Sequence, residues 1–91
     1  MDRIIKTNGE VIPTSPKNGS DYSLEEMQEI VGGYIEIIAS ADGSEVMVLN
    51  EEGKLNELPY NPEATRWFAK NHGDYDYIVG NVLVCDTDHV K

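Results

Sequence analysis

The chain divides into short segments with distinct apolar spacing, separated by turn residues. Arg3 to Thr7 and Glu10 to Thr14 are β-rich runs on either side of Asn8-Gly9. Asn-Gly between two such runs predicts a hairpin over residues 1–14, because both turn positions favour positive φ. Residues 15–22 contain Pro16, Gly19 and several polar side chains, and predict a loop. Leu24, Met27, Ile30 and Val31 then fall on one helical stripe. Ser23 with Glu26 three residues later forms a capping box, each side chain meeting the other residue's free N–H. Glu25 and Glu26 lie at the favourable N-terminal end of the helix dipole. Gly32-Gly33 ends this helix.

From Tyr34 to Ala39 the period changes to two, with Ile35 and Ile37 on one face and Glu36 on the other. Asp42-Gly43 turns the chain into a second strand, Glu45 to Asn50. Val46, Met47, Val48 and Leu49 make this strand apolar on both faces, which predicts a place inside the sheet. Residues 50–53 turn again, and Lys54 to Leu58 predicts a short edge strand ending at Pro59. Asn61-Pro62 marks a second helix start, with Asn as N-cap and Pro at the first helical position. Ala64, Trp67 and Phe68 face inward, Arg66 and Lys70 outward, and Gly73 ends the helix. Tyr77 to Cys85 is the longest apolar strand. Gly80-Asn81 interrupts it as a bulge or a hairpin. Residues 86–91 predict a frayed tail.

The order is β-β-α-β-β-(β)-α-β. It predicts a single α+β domain over residues 1–91: a small antiparallel or mixed sheet of about five strands with two helices packed on it. Ninety-one residues suit one domain, and surface scaling gives such a folded chain about 5,300 Å² of exposed area. Met1-Asp2-Arg3 opens with no long apolar run, so no signal peptide is expected. No stretch reaches the roughly 20 apolar residues of a membrane span. The expected setting is the cytoplasm, with no membrane partner.

Charge adds a constraint on partners. Seventeen acids against seven bases give a formal net charge of −10. The acids are spread along the chain, so the folded domain itself is acidic. Such a field repels DNA and attracts basic surfaces, so direct DNA binding is not expected. Glu25, Glu26, Glu29, Glu51, Glu52 and Glu57 are the acids expected at the surface. With Tyr60, near an element boundary, they form the expected partner-binding set.

Four segments together carry a resemblance. They are Val31-Gly32-Gly33-Tyr34-Ile35-Glu36, Asn50-Glu51-Glu52-Gly53-Lys54-Leu55, Leu58-Pro59-Tyr60-Asn61-Pro62-Glu63-Ala64-Thr65 and Ile78-Val79-Gly80-Asn81-Val82-Leu83-Val84. Their wording and order, over about Leu24 to Val84, resemble the phage- and plasmid-associated family catalogued as domain of unknown function 3846. The resemblance carries no catalytic residues to transfer. It implies phages and other mobile elements as the habitat. By analogy with small acidic proteins of that habitat, it implies a non-enzymatic inhibitor of host defence, of the anti-CRISPR or anti-restriction type. The expected target is a host protein with a basic surface, such as a defence nuclease.

Three alternatives stand beside this expectation. A sponge for a nucleotide immune signal would use Arg3, Lys6, Arg66 and Lys70, and would need an oligomer to gather them. A structural or regulatory phage protein would need no defence role. An enzyme ranks last, because no coherent constellation is present. Cys85, Asp86, Asp88 and His89 crowd into one short segment, unlike the firmly held ligands of a zinc site. His72 reads as a cation at a helix C-terminus rather than as a base for Cys85. No metal or other cofactor is expected. A homodimer is compatible with so small a core.

Overall fold

A computed structural model describes residues 1–90. Five strands form one sheet: β1 (Arg3–Ile5), β2 (Val11–Pro13), β3 (Ile35–Ala39), β4 (Glu45–Asn50) and β5 (Val82–Asp86). Every pairing is antiparallel, in the order β2-β1-β5-β4-β3. Two helices, α1 (Leu24–Val31) and α2 (Pro62–His72), complete an α+β fold. The exposed area is 5360 Å².

The sheet carries a helix on each face. Along β4, Val46 and Val48 pack with Leu83, Cys85, Met27 and Val31 under α1. Met47 and Leu49 pack with Val82, Val84, Trp67 and Phe68 under α2. Alternate side chains of a strand point to opposite faces, so β4 and β5 are buried on both. This is why Val46 to Leu49 reads as unbroken apolar sequence.

Both helix starts follow the local signals. Ser23 Oγ accepts the Glu26 N–H, and Glu26 Oε1 accepts the Ser23 N–H, closing the capping box. Gly32, with φ 81°, ends α1 in the left-handed region. Asn61 caps α2 and accepts the Ala64 N–H at 3.0 Å.

Four expectations are corrected. The strands of the first hairpin are only three residues each. Lys6 and Glu10 close a longer loop between them, and only Gly9 of the Asn-Gly pair has positive φ. Lys54 to Leu58 is not an edge strand. Its N–H groups close onto nearby carbonyls, Asn56 onto Glu52, Glu57 onto Lys54 and Leu58 onto Gly53, so the segment is a succession of turns. β4 has no vacancy beside it, because β3 and β5 already occupy its two sides.

The Tyr77–Cys85 stretch is neither bulge nor hairpin at Gly80. Val79 makes an isolated bridge to Tyr60, Gly80 breaks the chain direction at φ 79°, and β5 begins only at Val82. The end of the chain is not frayed up to Val90. Asp86 completes β5, and Thr87–His89 form a 3₁₀ turn whose Thr87 N–H donates to Ser44 O. Lys91 lies outside the described residues. No helix among those residues is long and apolar enough to cross a membrane.

Candidate interaction surface

The expected acidic residues separate into those already engaged and those left open. Glu26 is engaged. Besides capping α1, its Oε2 accepts the Lys17 N–H at 3.1 Å, tying the 15–22 loop to the helix. The Ser23 N–H and then the Lys17 N–H hold its carboxyl below the ordinary glutamate value. Glu25 and Glu29 are exposed on the same helix, and Glu51, Glu52 and Glu57 are exposed in the turns after β4.

Asn50 links the segments that carry Glu29 and Glu52. It is buried at the end of β4, and its Nδ2 donates to Val31 O at 3.1 Å. Its Oδ1 accepts the Glu52 N–H at 2.8 Å. One side chain thus fastens the C-terminus of α1 to the turn that follows β4. Two shallow grooves result, and they meet at Gly32. One runs past Glu29, Gly32, Leu58 and Asn81. The other, of about 350 Å³, runs past Gln28, Gly32, Tyr34, Asn50 and Glu52. No lysine or arginine lines either groove. Glu25, Glu51 and Glu57 line neither.

Gly53 sets the position of the turn. A Cβ there would lie 2.8 Å from Val79 Cγ2 and 3.4 Å from Asn50 O. Gly53→Ala should therefore cost about 1–3 kcal/mol through overpacking. Thermal unfolding of the variant measures this, and an unchanged midpoint would refute the packing role.

Tyr60 lies in a different setting. It is half exposed, with its ring centroid 6.3 Å from that of Tyr77. Lys54 Nζ lies 4.3 Å from the Tyr77 ring centroid and also pairs with Asp76. Lys54, followed by the Tyr77 N–H, holds the Asp76 carboxyl below its ordinary value. Tyr60, Tyr77 and Lys54 form an amphipathic patch of the kind that anchors partners.

Basic side chains gather on the α2 face. Arg3, Arg66 and Lys70 line one groove beside Trp67. Arg3 Nη1 is bound to Glu45 Oε2 at 2.9 Å, and Arg66 pairs with Glu63. Lys70 has no ion pair among the described residues. Three of the basic residues thus gather on the α2 face, among the acids Glu45 and Glu63, while Lys17 lies beside α1 and Lys54 in the turns after β4.

The residues weighed for chemistry are otherwise occupied. Cys85 is fully buried, and burial followed by the Asp2, Asp86 and Glu45 charges pushes its thiol up to about 12. His72 Nε2 donates to Ala39 O at 2.7 Å. His89 Nδ1 lies 2.6 Å from Asp2 Oδ2. Among the described residues, no group of three or more His, Cys, Asp or Glu gathers as metal ligands would.

Asp2 is the polar centre that sequence reasoning missed. It is buried, and its carboxylate accepts the Tyr22 hydroxyl at 2.8 Å and the Asp86 N–H at 2.9 Å as well as facing His89. No local pattern marks it, because its partners stand 20, 84 and 87 positions away.

The profile of the family described as domain of unknown function (DUF3846) matches residues 1–91. The chain belongs to that family. The match extends the resemblance of the four segments to the hairpin and to the C-terminal end, where Asp2 and His89 meet. No curated protein matches the chain. No solved structure matches it.

Proposed function

We propose that this family member is a non-enzymatic binding protein of phages or other mobile elements. In this reading it acts in the host cytoplasm and inhibits a defence system. It covers the basic, nucleic-acid-binding surface of a defence protein such as a nuclease. The observation that carries the reading is the pair of adjoining grooves at Gly32, edged by Glu29 and Glu52 and lined by no cation. Open carboxylates on a frame of net charge −10 steer a basic partner and repel nucleic acid.

The acidic mapping is tested with Glu25→Lys, Glu29→Lys and Glu52→Lys combined. Glu26 is left intact, because reversing it would break the capping box and confuse binding with stability. Tagged wild-type protein should capture basic nucleic-acid-binding proteins from a bacterial lysate at about 50 mM salt. Capture should fall steeply by about 300 mM. The triple variant should lose at least about 90% of that capture. Equal capture by the variant would refute the mapping.

A second reading, a sponge for a nucleotide signal, draws on the groove at Arg3, Arg66 and Lys70. Glu45 and Glu63 already engage two of those cations, so this reading ranks below the first. A rise in melting temperature with a cyclic nucleotide would reverse the ranking.

A further inference from the structure

The two edges of the sheet differ. β2 is three residues long and ends in Pro13, a blunted edge. β3 has five residues, Ile35-Glu36-Ile37-Ile38-Ala39, with no proline, no lysine and one charge. It is paired on one side only, and Ile37 is 44% exposed.

Backbone groups of an antiparallel strand point alternately toward and away from a given neighbour. Tyr34 O accepts the Glu51 N–H, and the Ser40 N–H donates to Glu45 O. The even-numbered residues from 34 to 40 therefore carry the bonds to β4. Ile35, Ile37 and Ala39 present their N–H and C=O groups to the open side. The His72 bond to Ala39 O fits this parity, since that carbonyl is turned away from β4.

We propose that two copies of this chain pair antiparallel through β3, about a two-fold axis at Ile37, joining their sheets into one. In this register Ile37 faces the second copy's Ile37, and Ile35 faces its Ala39. All three outward residues then form hydrogen-bonded pairs. Two of the bonds share the Ala39 carbonyl with His72, and the others use groups open in the single chain. Ile35, Ile37 and Ala39 of both copies form one continuous apolar stripe on the α1 face. Glu36 faces Ile38.

Neighbouring registers are worse. Setting Ile35 against Ile37 places Glu36 directly opposite itself, a destabilising like-charge pair. Setting Ile37 against Ala39 leaves Ile35 unpaired. The second copy is thus matched in backbone parity and apolar stripe, in a register that keeps the two Glu36 side chains from facing each other. One five-residue pairing buries less than the roughly 800 Å² per partner of a standard interface. The dimer is therefore weak, on the order of 10–100 μM. The −10 charge of each copy opposes it, so salt strengthens this contact, whereas salt weakens the acidic-surface complex.

Cysteine cross-linking tests the register. Cα atoms of a hydrogen-bonded antiparallel pair lie about 5.5 Å apart, within disulfide reach. The two Glu36 positions stand diagonally at about 7–8 Å, at or beyond its limit. Under mild oxidation Ile37→Cys should form a disulfide dimer at least about tenfold faster than Glu36→Cys; Cys85 is buried and does not compete. In sedimentation equilibrium at about 0.5 M salt, wild-type mass should rise from 10.1 kDa toward twice that value as concentration increases. Ile37→Lys, which reduces net charge yet sets two ammonium groups face to face, should remain at monomer mass. A wild-type mass fixed at 10.1 kDa up to about 1 mM, or equal cross-linking of the two cysteine variants, would overturn the proposal. It stands independently of the proposed function.

Discussion

Asp2→Ala should lower stability by about 3 kcal/mol, a fall of more than about 10 °C in melting temperature for a chain of this size. The Asp2 carboxylate is buried where the two ends of the chain meet. It accepts from the Asp86 N–H on one oxygen and from the Tyr22 hydroxyl on the other, with His89 Nδ1 at 2.6 Å. Removing it strands a buried hydroxyl and a backbone donor. It also releases the 3₁₀ turn that holds His89, whose carbonyl accepts the Tyr22 N–H.

The same centre predicts a pH dependence. Burial alone raises the Asp2 pKa. The Asp86 N–H, Tyr22 and His89 together more than offset burial, so the carboxyl lies below its ordinary value of 3.8. A depressed native pKa contributes stability that is present above the unfolded value and is lost as pH falls through the native one. Wild-type protein should therefore lose melting temperature on acidification below about pH 4. Asp2→Asn, which has no proton to gain there, should show a shallower acid limb in the same scan. Parallel acid limbs would remove Asp2 from the account.

The helix starts were legible because their signals are local. Ser23 and Glu26 satisfy each other's N–H, Asn61 accepts the Ala64 N–H, and Pro62 has no N–H to satisfy, all within three residues. The burial of β4 was legible because two-sided packing leaves no polar alternation in Val46 to Leu49. The sheet order was not legible. β1 lies beside β5, and nothing within Arg3–Ile5 specifies a partner near position 83. The 54–58 segment misled because a short run between the 50–53 turn and Pro59 has room for an edge strand, while Gly53 and the turn hydrogen bonds decide otherwise. Of the candidate surface, the identity and exposure of Glu29 and Glu52 were readable. The meeting at Gly32 of the two grooves they edge was not, because it depends on the buried Asn50 reaching Val31 O across 19 positions. Glu26 was legible as half of the capping box, and its two carboxylate oxygens are taken up by the Ser23 and Lys17 N–H groups, although it also stands among the expected partner-binding acids.

Asn61 gives the sharpest test of packing over propensity. By helix rules alone Asn61→Asp should be harmless, since both residues cap equally well. Here the side chain is fully buried. Its Oδ1 caps α2, while its Nδ2 donates to Ile5 O at 3.0 Å and Gly80 O at 2.8 Å. One amide therefore joins β1, the break before β5 and the start of α2. Asn61→Ala should cost about 3–5 kcal/mol, from the lost cap and the stranded carbonyls and N–H. Asn61→Asp keeps the cap but turns a carboxylate oxygen toward two carbonyls in a fully buried site. At neutral pH it should be at least as destabilising as alanine. Burial and the facing carbonyls raise the pKa of the new acid in the folded chain. A raised acid pKa makes the penalty grow as pH climbs above the unfolded value, so it shrinks on acidification. Between pH 7 and about pH 4 the aspartate variant should therefore regain stability relative to the alanine variant. Denaturant midpoints at the two pH values measure the difference. An aspartate variant as stable as wild type at pH 7 would mean that Asn61 is only a helix cap.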